Sequence, residues 1–125
     1  APLVVSPGAA VRSVDSAGGP PLCTLDDFDY PSEPFTLAPG EMMVLWTDGV
    51  GESSREQAAP VGTDKIEEIY YAREGVVRFL EQLQLEATPA DVVTGLYRDV
   101  TAFSSNAENS DDIAIIAIQY RGVGD

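Results

Sequence analysis

Asp48, Asp111 and Asp112 are the residues of this sequence whose type and placement best suit chemistry. Asp48 follows the apolar run Met42 to Trp46, and the Asp111-Asp112 pair precedes a second apolar run, Ile113 to Ile118. Carboxylate oxygens are hard ligands that favour Mg2+, Mn2+ or Ca2+ over soft metals. Carboxylates that cluster repel one another unless a proton or a cation intervenes, and one cation neutralises several acids at once. Gly49, beside Asp48, would let the backbone approach an ion or a phosphate closely. The same residues also fit plainer roles: Asp48-Gly49 as a hairpin turn, Asp111 as a loop acid ahead of a strand.

Other chemistries fall away. The chain has no histidine, so Ser-His-Asp and Cys-His systems, imidazole bases and His-bearing zinc sites are excluded. The single Cys23 rules out an intramolecular disulfide and any multi-cysteine metal site, and points to a reduced, cytoplasmic setting. Asp26, Asp27 and Asp29 lack the continuation of a calcium-binding EF-hand loop and read as a solvated loop. A Gly-rich Lys-Ser/Thr phosphate loop is missing too. Trp46 and Phe103 read as core residues.

The elements that must position the acids can be read from apolar patterning. Leu3 to Val5 and Val11 to Val14 flank Ser6-Pro7-Gly8-Ala9, a hairpin pattern. Tyr30 to Leu37 holds two prolines and is an edge strand at best. Ala38-Pro39-Gly40-Glu41 carries Pro then Gly at the centre of a type II turn. Met42 to Trp46 and Ile113 to Ile118 are short, continuously apolar, and predict strands buried on both faces. If the two run antiparallel and side by side, the acids meet at one rim of the sheet; if parallel, they do not. Ser53 to Gly62 is polar and predicts a mobile surface loop.

Two helices are expected after that loop. In the first, Ile66, Ile69, Tyr70, Val77, Leu80 and Leu83 form one stripe, with Asp64 and Glu67 in its first turn and Gly75 as a weak point. The second starts at Thr88 as N-cap, with Pro89 at its first position and Asp91 completing a capping box, and presents Val92, Leu96, Val100 and Phe103. Both must cover a sheet, which makes the fold α+β.

The chain has 125 residues, 44% of them apolar, enough for the core of one domain. No apolar run approaches the roughly 20 residues that span a bilayer. Seven basic against 21 acidic residues leave a formal charge of −14, a field that repels nucleic acid and anionic membranes, so neither is expected as a partner. The first residues, Ala1-Pro2-Leu3-Val4-Val5, lack both a methionine and the pattern of a signal peptide, and read as a start inside a longer protein or as a trimmed end.

The run from Pro34 to Val50, ending in Thr47-Asp48-Gly49-Val50, resembles a stretch of bacterial stage II sporulation protein E-like phosphatases, members of the metal-dependent type 2C serine/threonine phosphatase superfamily. Asp111-Asp112 and the apolar run to Tyr120 resemble that family's closing Asp-Asp motif and last strand. Val61-Gly62 with Lys65-Ile66 is similar to its Phe-Gly-x-x-x-Leu entry to a helix, and Gly19 to Leu22 to its Gly-x-Pro-Leu segment. The order of these pieces makes the combination more specific than any one of them.

The resemblance implies part of an α-β-β-α sandwich of antiparallel sheets flanked by helices, with a two-metal centre at one end. It implies Asp48 and Asp111 as ligands of Mn2+ or Mg2+, with Asp112 supporting or joining them. Water activated by two metals would then attack phosphorus in a phosphoserine or phosphothreonine of a protein substrate, such as a regulator in a sigma-factor partner switch. Cys23, Gly51 and Ala114 depart from the family, which has Gly, Thr and Thr or Ser at those places. The family domain is also longer, and its first half carries an Asp that bridges both metals. Residues 1–125 are thus expected to be the C-terminal part of one phosphatase domain, inactive alone, or a non-catalytic interaction module derived from it.

Overall fold

Five consecutive apolar residues form β3 (Met42–Trp46) directly after a tight turn. Gly40 there has φ 89, and the Glu41 N–H donates to the Ala38 carbonyl at 3.0 Å. That is the expected type II turn, whose third residue needs a positive φ. The computed structural model describes residues 2–8, 10–14, 26–27, 29, 34–58, 66–104 and 112–123. Within them, β3 is joined by β1 (Leu3–Val5), β2 (Val11–Ser13) and β6 (Ile115–Gln119) in one sheet of order β2-β1-β3-β6.

Every pairing in this sheet is antiparallel. The expected hairpin of β1 and β2 is present, with Leu3 opposite Ser13. β3 and β6 pair over their full length, from Met42 opposite Gln119 to Trp46 opposite Ile115.

Period-two alternation gives the sheet two unlike faces. Leu3, Val5, Met42 and Val44 point to one side and join a core with Val76, Leu80, Val92, Leu96 and Val100 from the helices. On the other side lie Val4, Met43, Leu45, Ile116 and Ile118, and there Ile116 and Ile118 are 56% and 47% exposed. β6 is therefore covered on one face only, not on both as its apolar run predicts.

The covering helices are α2 (Ala72–Glu81) and α3 (Pro89–Phe103). α3 begins as expected: Thr88 Oγ1 accepts from the Asp91 N–H at 3.2 Å, and Asp91 Oδ2 accepts from the Thr88 N–H at 2.9 Å. That reciprocal cap holds the Asp91 carboxyl below its ordinary pKa, chiefly through the backbone bond. Val92, Leu96 and Val100 are buried, and Phe103 packs at the edge of the core.

Two expectations are corrected. The polar stretch after Ser53 is not simply a loop, because Ser54–Ala58 forms β4. The first helix does not begin near Asp64: Ile66–Tyr70 is a strand, β5, paired antiparallel to β4 with Ser54 opposite Tyr70. Backbone pairing and polar links such as Ser54 Oγ to Glu68 Oε1 at 2.8 Å define this hairpin, so apolar alternation could not announce it. The proposed helix entry at Val61-Gly62, with Lys65, lies outside the described residues, as do Gly19 to Leu22 and Cys23. The helix enters instead at Tyr71-Ala72, where Ala72 has φ 55. No segment with strand structure appears in residues 34–38, part of the doubtful edge strand.

Candidate metal-binding rim

The β3–β6 ladder ends in a clasp built on Thr47. Its N–H donates to the Ala114 carbonyl at 3.1 Å. Its Oγ1 accepts from the Ala114 N–H at 3.0 Å and donates to the Asp112 carbonyl at 3.2 Å. One residue thus ties the segment leaving β3 to the segment entering β6. Asp48 and Asp112 flank that clasp at one rim of the sheet, both exposed. Asp111, the other expected ligand, lies outside the described residues.

Asp48 opens α1 (Asp48–Gly51), a single turn. Thr47 is extended at φ −88 and ψ 164, so the chain leaves the strand and turns at once. The turn is closed by the Glu52 N–H on the Asp48 carbonyl at 2.8 Å and by Ser53 Oγ on the Gly49 carbonyl at 2.8 Å. Val50 is buried in the core beneath. Val50 anchors the turn, and the Asp48 carboxylate stays at the surface.

A cleft of about 320 Å3 adjoins this rim, lined by Pro2, Leu45, Trp46, Asp48 and Arg73. Arg73, from the first turn of α2, donates to Ser13 Oγ at 2.7 Å and lies over the Trp46 ring at 5.6 Å from its centroid. Sequence reasoning did not single out Arg73; nothing in its local pattern separates it from the other basic residues. Thr47 stands out in the sequence only as part of the Thr-Asp-Gly-Val run, although a hydroxyl at the end of a buried strand is a signal for end-of-ladder bonding.

A larger cleft of about 500 Å3 lies between the β4–β5 hairpin and the helices, and its lining includes Arg55, Tyr71, Arg78, Asp99 and Phe103 but neither Asp48 nor Asp112. Size does not make it the chemical centre. Tyr71 there is buried, with its hydroxyl donating to Asp99 Oδ2 at 2.6 Å. Burial first, and that bond second, push the phenol well above its ordinary pKa.

Among the described residues the rim offers carboxylate oxygens and no soft ligand, a donor chemistry that matches a hard divalent cation. The described residues supply only part of a coordination shell: among them, no group of three or more His, Cys, Asp or Glu is arranged to hold a metal ion.

Comparison with known proteins matches these elements to a family. Residues 1–121 fit the profile of Stage II sporulation protein E (SpoIIE). The chain belongs to the SpoIIE family. Its fold also matches the SiaA-PP2C domain of Pseudomonas aeruginosa, with a TM-score of 0.67 at 18% identity, over 95% of this chain and 42% of that one. The chain thus spans less than half of the matched structure. No curated protein matches. The mixed α+β elements and antiparallel sheets of this SpoIIE family member are thus those of a PP2C-like fold.

Proposed function

We propose that this chain is the C-terminal part of a phosphoserine/phosphothreonine protein phosphatase and supplies part of its metal centre. The observation that carries the reading is the antiparallel pairing of β3 with β6, closed by Thr47, in a member of the SpoIIE family. Asp48 and Asp111, with Asp112 in support, would hold Mn2+ or Mg2+ together with a bridging Asp from the rest of the domain. When bound, the two ions supply Lewis-acid activation of water and neutralise charge on the phosphoryl oxygens.

The chain's own part is to hold its acids in place. Thr47 fixes the spacing of the two segments, and Val50 keeps the turn of Asp48 seated. Carboxylates and cations suffice for this chemistry, which agrees with a sequence without histidine. The substrate would be a phosphorylated protein, such as a regulator of a sigma-factor partner switch. The charge of −14 disfavours nucleic acid and anionic membranes as partners. Among the described residues no helix is long and apolar enough to cross a membrane. A cytoplasmic setting suits these features.

A second reading, a non-catalytic interaction module, draws on the exposed apolar face of β6. The two readings differ in what the complete domain does. The phosphatase reading expects Mn2+- or Mg2+-dependent phosphate release from a phosphoserine peptide, lost in Asp48→Ala and in Asp111→Ala. Undiminished release in both variants would overturn it. Calorimetric titration of the 125-residue chain with Mn2+ tests how far the site forms without the bridging ligand.

A further inference from the structure

We propose that Ser53 is a positioning residue for Asp48: its hydroxyl holds the turn from which the Asp48 carboxylate reaches the metal-binding rim. This rests on the phosphatase reading, in which Asp48 is a metal ligand, and adds to it a residue that lies in neither acid motif. Ser53 is 5% exposed, although the acid it follows stands exposed at the rim. Its Oγ donates to the Gly49 carbonyl at 2.8 Å, and Gly49 is itself buried. On its other side, the Ser53 carbonyl accepts from the Tyr71 N–H at 2.7 Å.

α1 is four residues long and cannot hold its own shape. Nucleating a helix fixes several residues for one hydrogen bond, so a lone turn depends on contacts from outside it. The last carbonyls of a helix also lack intrahelical donors, and buried ones must find partners elsewhere. In α1 the Asp48 carbonyl is met by the Glu52 N–H and the Gly49 carbonyl by Ser53 Oγ. At the front of the turn Thr47 makes no side-chain cap, because its hydroxyl is committed to Ala114 and Asp112. The back of the turn is therefore held where Ser53 bonds it. A tilt of that turn carries the Asp48 carboxylate with it, and a metal ligand has to stay within about 0.5 Å of its productive place.

Ser53 also decides what the turn is fastened to. The Thr47 clasp ties it to the sheet. Ser53 ties it to the helical layer, since Tyr71 opens α2, is buried, and bonds through its hydroxyl to Asp99 of α3. Val50 seats the turn in the core by apolar contact, which has no direction of its own. The hydrogen bonds of Ser53 add direction, and they run from the peptide after Gly49 to the start of α2.

The test uses the complete phosphatase domain, with Mn2+ binding read by calorimetry. Ser53→Ala deletes the donor and should weaken Mn2+ binding by about 10-fold, the lower end of what removing a partner that orients a metal ligand costs. Phosphate release from a phosphoserine peptide should drop at limiting Mn2+ and return to within a few-fold of wild type at saturating Mn2+. Ser53→Cys, a weak donor of similar size, should fall between Ser53→Ala and wild type. Thr88→Ala is the control for stability alone: it breaks the cap at the end of α3 away from Asp99. It should lower the denaturant midpoint and leave Mn2+ affinity unchanged. Wild-type Mn2+ affinity in folded Ser53→Ala would overturn the proposal. So would an equal loss of affinity in Thr88→Ala, since any loosening of the fold would then do the same. If Ser53→Ala does not fold, Ser53→Cys against Thr88→Ala decides by the same readout. Failure of the phosphatase reading shows separately, before any Ser53 variant is made, as a wild-type domain that binds no Mn2+ or hydrolysis indifferent to Asp48→Ala, and it would take this proposal with it.

Discussion

Thr47 Oγ1 donates to the main-chain carbonyl of Asp112 at 3.2 Å, across 65 positions of sequence. The same oxygen accepts from the Ala114 N–H at 3.0 Å. A single hydroxyl thereby satisfies two backbone groups at the point where the β3–β6 ladder stops, and it sets the distance between the segments that carry Asp48 and Asp112. The sheet provides the direction of those segments; Thr47 provides their register at the rim.

Thr47→Val keeps the shape of the side chain and deletes the clasp. The variant should lose roughly 1–2 kcal/mol of stability, the net worth of the two bonds with the Ala114 N–H and Asp112 carbonyl groups left partly hydrated. In the complete domain it should also weaken Mn2+ binding, and Thr47→Ser should restore both. Denaturant titration and calorimetry check this. A Thr47→Val domain with wild-type Mn2+ affinity would show that the rim is held by other means.

Tyr71 makes a pH dependence testable. Its phenol pKa is raised by burial and by the bond to Asp99, so the folded state favours the protonated phenol. A group whose folded pKa is raised contributes stability that is fully present below the unfolded value, near 10, and lost as pH climbs toward the folded value. Tyr71→Phe should therefore be less stable than wild type at pH 8, by about 1–2 kcal/mol for the lost bond to a carboxylate. That deficit should shrink as pH rises above 10, because only the wild type loses this contribution. Urea melts at pH 8, 9, 10 and 11 give the comparison; a deficit constant across the series would contradict it.

The entry to α2 gives a pair of opposite predictions. Ala72 sits at φ 55, a left-handed conformation that strains an L residue by roughly 1–2 kcal/mol. Glycine carries its own entropy cost of about 0.5–1 kcal/mol, so Ala72→Gly should stabilise by a few tenths to about 1 kcal/mol. Gly75→Ala should do the reverse. A Cβ there would stand 2.8 Å from ring atoms of Tyr71, and that ring is 1% exposed, bonded to Asp99 and set edge-on to Phe103. It cannot retreat, so overpacking should cost about 1–3 kcal/mol. Thermal melts of the two variants should move in opposite directions.

How far the sequence reveals this arrangement depends on the kind of force involved. The strands Met42–Trp46 and Ile115–Gln119 are legible because each coincides with an apolar run, although the exposed outer face of β6 is not, and the start of α3 is legible because Thr88, Pro89 and Asp91 act locally. The direction of β6 against β3 is not legible, since an apolar run has no polarity; only the long-range ladder decides it. Ile66, Ile69 and Tyr70 fit a helical stripe by spacing alone, yet β4 captures them through backbone bonding that the polar run Ser54–Ala58 does not advertise. The two acid motifs are legible as a resemblance. Arg73 and Ser13 meet only because α2 packs near the end of β2, so no local pattern pairs them.

The outer face of the main sheet distinguishes the two functional readings. Ile116 and Ile118 project from β6 on the side away from the helices and remain about half exposed in this chain. If the chain is part of a sandwich, as proposed, a second sheet would lie against that side in the complete domain, and burial there would put both residues in a core. Ile116→Ala and Ile118→Ala should then each cost the complete domain about 2–5 kcal/mol, the range for truncating a buried isoleucine. In the 125-residue chain, where the same side chains face solvent, each should cost less than about 1 kcal/mol, since less apolar area leaves contact with protein. Parallel denaturant melts of the two lengths test the contrast. A small, equal cost in both would mean that no second sheet covers β6, and would favour an apolar face used to bind another protein.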